Sequence, residues 1–147
     1  MNATIMPPAG ELARWQADSA IKRSLNVSRI AVVGLSPNPS RPSHDVTRYL
    51  LAQGYDIVGV NPAVDEVLGL PCYPTLTAVP GPIELVDVFR TSAAVPEAAA
   101  GAVAVGAAFL WLQLGVYHRD AIVHAEAHGI TCIVDRCVKI EHARLRP

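Results

Sequence analysis

The chain has 147 residues, of which 51% are hydrophobic and 17% charged, and its formal net charge at pH 7 is −1. This length predicts one domain, the apolar content excludes a disordered chain, and the charge excludes an overall basic surface for nucleic acid. No apolar run is long enough for a transmembrane helix, and the N-terminus lacks the pattern of a signal peptide. The three cysteines form no CxxC pair, which favours free thiols in a reducing cytoplasm.

In chain order, an N-terminal segment precedes a regular alternation of strands and helices. Residues 1–9 are predicted to be a flexible arm and residues 10–27 one amphipathic helix. Short apolar and β-branched runs predict five strands, at residues 29–34, 55–60, 84–89, 108–114 and 130–134. Further helices are predicted at residues 43–53, 93–107, 117–128 and 136–145. Residues 68–76, with their Gly and Pro, are predicted to be a turn-rich crossover.

The five predicted strands are nearly continuous apolar runs, which is typical of a parallel sheet covered by helices on both faces. We therefore expect residues 10–147 to form a single three-layer α/β domain with an extra N-terminal helix. Right-handed crossovers suggest the order 3-2-1-4-5 for the five predicted strands. A ligand crevice is then expected at the carboxyl ends of the strands, between predicted strands 1 and 4.

A short motif with at least one polar side chain follows each predicted strand at its carboxyl end, so these motifs should meet at one edge of the sheet. They are Gly34-Leu35-Ser36 and Arg41-Pro42-Ser43, Asn61-Pro62, Phe89-Arg90-Thr91-Ser92, Gln113-Leu114-Gly115, and Asp135-Arg136-Cys137. This pattern is typical of a ligand site.

The loop VGLSPNPSRPS, residues 33–43, leads into a predicted helix N-terminus, where free N–H groups favour an anion. Arg41 can hold a phosphate through two hydrogen bonds, Ser36 and Ser43 supply hydroxyl groups, and Arg90 is a possible second cation. The loop thus favours a phosphate or pyrophosphate. The alternative is a Pro-rich loop whose serines only cap the helix.

The same loop disfavours NAD. It lacks the three-glycine pattern, and the second strand ends in Asn61-Pro62 instead of the acidic residue that binds ribose hydroxyls. The phosphate-binding GxxxxGK[ST] motif is also missing.

An ordered set of segments carries a family resemblance over about residues 12–145: VGLSPNPSRPSHDVTRYLLAQGYDIVGVNP, LGLPCYPTL, VDVFR, WLQLGV and VDRCVKIEHARL. Together they resemble the small stand-alone CoA-binding proteins, which are similar to the CoA-binding N-terminal domain of the succinyl-CoA synthetase α subunit. The resemblance implies a Rossmann-like fold that binds coenzyme A in the crevice. The synthetase half with the phosphohistidine has no counterpart here, so ligase activity is not implied.

The resemblance also implies which residues bind CoA. Gly34, Leu35 and Ser36 would line the path of the pantetheine and phosphates, and Arg41, Pro42 and Ser43 would hold the phosphates. The remaining implied ligand residues are Asn61, Pro62, Phe89, Arg90, Gln113, Gly115, Asp135, Arg136 and Cys137. His44 departs from the pattern, so its role stays open.

No catalytic or metal-binding residue is assigned. His124 and His128 share a helical face, but a zinc site needs a third ligand, and none is evident. Asp135 is a possible base, although a carboxylate there more often caps a helix or pairs with an arginine. Cys137, at a predicted helix start, is either a packed residue or a thiol able to form a mixed disulfide with CoA.

The expected function is therefore binding of CoA or acyl-CoA by a cytoplasmic, non-catalytic sensor, carrier or accessory protein. The alternatives are an enzyme that uses NAD(P) or acyl-CoA in the same crevice, and an interaction module whose crevice is vestigial. A protein partner or a homodimer is possible.

Overall fold

The computed structural model describes residues 6–146. Its strands are β1 Arg29–Val33, β2 Asp56–Val60, β3 Glu66–Val67, β4 Leu70–Tyr73, β5 Leu85–Val88, β6 Phe109–Leu112 and β7 Thr131–Val134. Its helices are α1 Ala9–Leu12, α2 Asp18–Leu25, α3 Pro42–Ala52, α4 Val95–Val105, α5 Arg119–Ala127 and α6 Val138–Leu145. Three short 3-10 turns lie at Ala13–Trp15, Leu76–Ala78 and Ser92–Ala94.

The strands form one sheet in the order β3-β4-β2-β1-β5-β6-β7. All neighbouring strands from β4 to β7 are parallel, and only β3 pairs antiparallel with β4. Helices cover both faces, so the predicted three-layer, Rossmann-like α/β fold is confirmed.

The predicted strand number and order are wrong. Residues 68–76 are not a plain crossover, because they include β4, which pairs with β2 through Gly59–Cys72 and Val60–Tyr73. The hairpin formed by β3 and β4 occupies the edge of β2 that faces away from β1. The strand β5 therefore pairs with the other side of β1. The five predicted strands therefore run 2-1-3-4-5, and the order reverses between predicted strands 1 and 3, which are β1 and β5.

The N-terminal segment also differs from its prediction. The flexible arm at 1–9 lies largely outside the described residues, although α1 already begins at Ala9. The prediction of one continuous helix over residues 10–27 is wrong, because helical structure is interrupted at Gln16, between the 3-10 turn Ala13–Trp15 and α2. Gln16 leaves helical geometry, with φ −133°, and its side-chain amide donates to the Val134 carbonyl.

Each strand alternates its side chains between two apolar cores, which explains the unbroken apolar runs in the sequence. Ala31 and Val33 of β1 face α4 and α5, whereas Ile30 and Val32 face α2, α3 and α6. The longest helices have 11 residues, and none within residues 6–146 could cross a bilayer. The sheet thus leaves its carboxyl edge as the place where polar loops meet.

Candidate functional site

A cavity of about 630 Å³ opens at the carboxyl edge where the strand order reverses. It lies between the β1–α3 loop, the loop after β5, the loop after β6 and the start of α6. Nine of the predicted ligand residues line it: Gly34, Ser36, Arg41, Pro42, Ser43, Phe89, Arg90, Gln113 and Cys137. The position matches the rule that ligands of open α/β sheets bind at such a switch point.

Gly34 brings the β1–α3 loop against the end of β5. Its φ is +87°, a conformation that favours glycine, and its N–H donates to the Val60 carbonyl at 2.9 Å. A side chain at this position would collide with the Phe89 carbonyl oxygen and press on Arg90. A glycine is therefore needed both for the turn and for the close approach of the two loops.

The serines of the loop organise its backbone. The Ser43 hydroxyl accepts a hydrogen bond from the Ser36 N–H at 3.0 Å, and the Ser36 hydroxyl accepts one from the Asn38 N–H at 3.1 Å. Ser43 is not the N-cap of α3, because the helix begins at Pro42 and Arg41 occupies the cap position without a side-chain cap bond. The Ser43 N–H has no acceptor among the described residues, so the start of α3 keeps a free donor at the cavity.

Two arginines border the cavity without a protein partner. Arg41 and Arg90 are exposed, and neither guanidinium makes a hydrogen bond or ion pair with residues 6–146. By contrast, Arg136 and Arg144 both contact the carboxylate of Glu141. The cavity thus combines two available cations with a helix N-terminus, which is an arrangement suited to phosphate groups.

A buried polar pair lies at the floor of the cavity, where Gln113 belongs to the lining and Asp87 lies behind it, outside the lining. Gln113 is only 6% exposed, and its Nε2 donates to Oδ1 of the fully buried Asp87 at 2.6 Å. Burial raises the pKa of Asp87 to about 7, although the hydrogen bond from Gln113 acts in the opposite direction. Oδ2 of Asp87 has no partner among the described residues.

Three predicted ligand residues lie beside this cavity instead of lining it. Leu35 is fully buried, and its carbonyl accepts a hydrogen bond from the Asn61 side chain at 2.9 Å. The Asn61 amide oxygen accepts from the Ala63 N–H, so this side chain ties the β1 loop to the turn after β2. Pro62 lines a second cavity.

Gly115, Asp135 and Arg136 also lie outside the cavity lining. Asp135, with φ +59°, accepts a hydrogen bond from the Gly115 N–H at 2.7 Å, which joins the loops after β6 and β7. Arg136 is directed to Glu141 at 3.4 Å and to the Gln16 side chain at 3.1 Å. These contacts are structural, and the ligand roles implied by the resemblance stay predictions for these residues.

The second cavity, of about 440 Å³, lies on the α4 side of the same edge. The end of β2, Thr75, Thr77 and α4 from Glu97 to Ala104 line it, and Arg90 lines both cavities. A ligand long enough to occupy both cavities would therefore pass Arg90.

Four apolar or hydroxyl side chains complete the main cavity and were not predicted as ligand residues: Val46, Thr91, Leu114 and Val116. Thr91 and Leu114 belong to the polar loops noted in the sequence. Leu114 is 60% exposed, and a large apolar residue directly after a buried strand is the signal that could have identified it.

Cys137 is the half-buried thiol of the cavity and the N-cap residue of α6. Cys72 and Cys132 are buried, and burial raises the pKa of both, that of Cys132 to about 12. Cys132 of β7 packs in the apolar core between the sheet, α4 and α5.

The histidines of interest lie away from the cavity lining. The ring centroids of His124 on α5 and of His128, the residue after α5, are 4.6 Å apart, and no group of three or more His, Cys, Asp or Glu within residues 6–146 is placed to hold a metal ion. Nδ1 of His44, at the start of α3, is buried without a partner in the described part of the chain.

Similar proteins share this architecture. A protein of Bacillus subtilis, YneT, which is described as uncharacterised, is 41% identical over 115 residues, or 78% of this chain and 85% of that protein. The solved structure of a hypothetical protein from Pyrococcus horikoshii superposes with a TM-score of 0.87 at 36% identity and covers 100% of both chains. An ADP-forming acetate–CoA ligase of Archaeoglobus fulgidus is 26% identical over 119 residues, which are 74% of this chain but only 17% of the ligase.

The match to the ligase is confined to a small part of that enzyme, so this chain corresponds to one domain of it. The family model described as a CoA binding domain matches residues 28–143, which contain the whole sheet and every residue that lines the main cavity. The chain belongs to the family of CoA-binding domains, and it is homologous to the corresponding domain of ADP-forming acetyl-CoA synthetases.

Proposed function

We propose that this protein binds coenzyme A or an acyl-CoA in the cavity at the switch point. The observation that carries the proposal is the meeting of Arg41, Arg90 and the free start of α3 at one cavity, in a chain of the CoA-binding domain family. Phosphate groups are the ligands that such a combination of cations and backbone donors favours.

The geometry suggests how CoA would lie. Pyrophosphate in this fold class sits at the N-terminus of the helix after the first strand, which is α3 here, and the adenosine points to the end of the second strand. The adenosine would thus reach the second cavity, past Arg90, while the pantetheine arm extends over the ends of β5 and β6. Its thiol would then approach Cys137.

We infer that binding is not followed by catalysis. Acyl transfer needs a nucleophile with an adjacent base and a group that orients the base. Cys137 is the one thiol in the cavity lining, and no histidine or carboxylate among residues 6–146 lines the cavity beside it. A cytoplasmic sensor, carrier or accessory protein fits this arrangement, and three free thiols fit a reducing compartment.

Calorimetric titration with CoA, NAD and ADP tests the proposal. The wild type should bind CoA, and Arg41→Ala should weaken this binding about 10- to 150-fold, which corresponds to a charge-assisted hydrogen bond of about 1.5–3 kcal/mol. Arg23→Ala is the matched control, because Arg23 is also exposed and without an ion pair among residues 6–146 but lies on α2, away from the cavity lining.

Unchanged CoA affinity in Arg41→Ala would refute the phosphate-binding role of this residue. Native mass spectrometry of the protein as purified adds an independent readout, since it would report a retained ligand and the oligomeric state together. Turnover of an acyl-CoA, detected as release of CoA, would contradict the non-catalytic role.

A further inference from the structure

The polar pair on the cavity floor has a definite geometry. Asp87 of β5 lies next to Trp111 of β6 in the sheet register, and Gln113 is the residue directly after β6, two residues beyond Trp111. The short contact of 2.6 Å between Gln113 Nε2 and Asp87 Oδ1 connects the end of β6 to β5, and Gln113 itself lines the cavity.

The hydrogen bond to Asp87 fixes which end of the Gln113 amide faces the cavity. Gln113 Nε2 donates to Asp87 Oδ1, so the amide oxygen is directed away from the carboxyl group. The Gln113 oxygen makes no hydrogen bond to residues 6–146, and it is not among the fully buried atoms that lack a partner. It is therefore an open acceptor on the cavity side of the pair.

Placing a carboxyl group here is costly for the fold. Asp87 is fully buried, its neighbours in register on β1 and β6 are Val32 and Trp111, and burial has raised its pKa. An apolar residue would satisfy the sheet at lower cost. A buried titratable group that pairs with a residue of a cavity lining is a candidate for a functional role.

We propose that Asp87 is a positioning residue for the ligand: it holds the Gln113 amide so that the oxygen accepts a hydrogen bond from an N–H group of the bound molecule. This inference rests on the proposed function, in which the pantetheine arm, with its amide N–H groups, crosses the ends of β5 and β6. The Asp87–Gln113 pair then selects ligands that carry the arm over nucleotides that lack it.

The test compares CoA with 3′-phospho-ADP, which is CoA without the pantetheine arm, by calorimetric titration of four variants. Asp87→Leu and Gln113→Leu should each weaken CoA binding about five- to tenfold, and the double variant should lose no more than either single variant. Asp87→Asn should stay within about twofold of the wild type, because its amide oxygen can accept from Gln113. Affinity for 3′-phospho-ADP should stay within about twofold in every variant.

The measurements with 3′-phospho-ADP and with Asp87→Asn distinguish a positioning role of Asp87 from a purely structural one. Equal losses for both ligands, additive losses in the double variant, or full CoA affinity in Asp87→Leu would each overturn the inference. Should Asp87→Leu fail to fold, Asp87→Ala replaces it in the same comparison: a loss of affinity for CoA but not for 3′-phospho-ADP supports the inference, and full CoA affinity overturns it. A wild type that binds no CoA would refute the proposed function itself, whereas a wild type that binds CoA with unaffected variants would refute only this inference.

Discussion

Replacing Asp87 by Asn should change how the stability of the protein depends on pH. The native state holds the Asp87 proton more tightly than the unfolded chain, because burial raises the pKa from 3.8 to about 7. Stability contributed by the protonated form is therefore complete below about pH 4 and is lost as the pH rises toward 7. The amide introduced by Asp87→Asn cannot titrate, so the variant lacks this loss.

The size of the effect follows from the two pKa values. Each unit of pKa difference is worth about 1.36 kcal/mol. The contribution of Asp87 to the free energy of unfolding therefore changes by about 4 kcal/mol between pH 4 and pH 8. Part of this change is complete by pH 5, which leaves roughly 2–3 kcal/mol between pH 5 and pH 8. All other titratable groups are common to both proteins and cancel in the comparison.

Urea unfolding of the wild type and Asp87→Asn at pH 5, 6, 7 and 8 measures this difference. The free energy of unfolding of the variant, relative to the wild type, should rise by roughly 2–3 kcal/mol from pH 5 to pH 8. A relative stability that is constant across this range would show that Asp87 is ionised throughout, and it would refute the argument from burial.

Three further predictions concern the cavity and its surroundings. Gly34→Ala should destabilise the protein by at least about 2 kcal/mol in urea unfolding, because strain at positive φ adds to the collision with the Phe89 carbonyl. Gly129→Ala, at φ +83° with open space around it, should show only the strain of about 1 kcal/mol. Iodoacetamide should alkylate Cys137 before the two buried cysteines, as read by peptide mass, and CoA but not NAD should slow the reaction at least severalfold. Arg136→Ala should lower the urea midpoint, because the buried Glu141 loses a partner, and it should change CoA affinity less than threefold. A loss of CoA affinity as large as that in Arg41→Ala would instead support the ligand role of Arg136 that the resemblance implies.

The strand positions could be predicted from the sequence, but their order could not. Each of the five predicted strands overlaps an observed one, since apolar runs buried on both faces are visible locally. The order depends on β4, a strand of four residues interrupted by Pro71, and on its pairing with β2. Such a short element has no periodicity of its own, and only the hydrogen bonds of the assembled sheet define it.

The candidate site, like the sheet, could be predicted only in part from the sequence. The sequence by itself determined that polar loops with arginines and serines follow buried strands, because the carboxyl ends of parallel strands share an edge. Arg41 and Arg136 have the same local setting, each close before a helix that follows a strand. Only the tertiary structure decided that Arg136 is held by Glu141 and by Gln16 from the far end of the chain, whereas Arg41 stays available at the cavity. The physical reason is that a guanidinium is free to bind a ligand only where folding brings no carboxylate or carbonyl to it, and those partners come from residues distant in sequence.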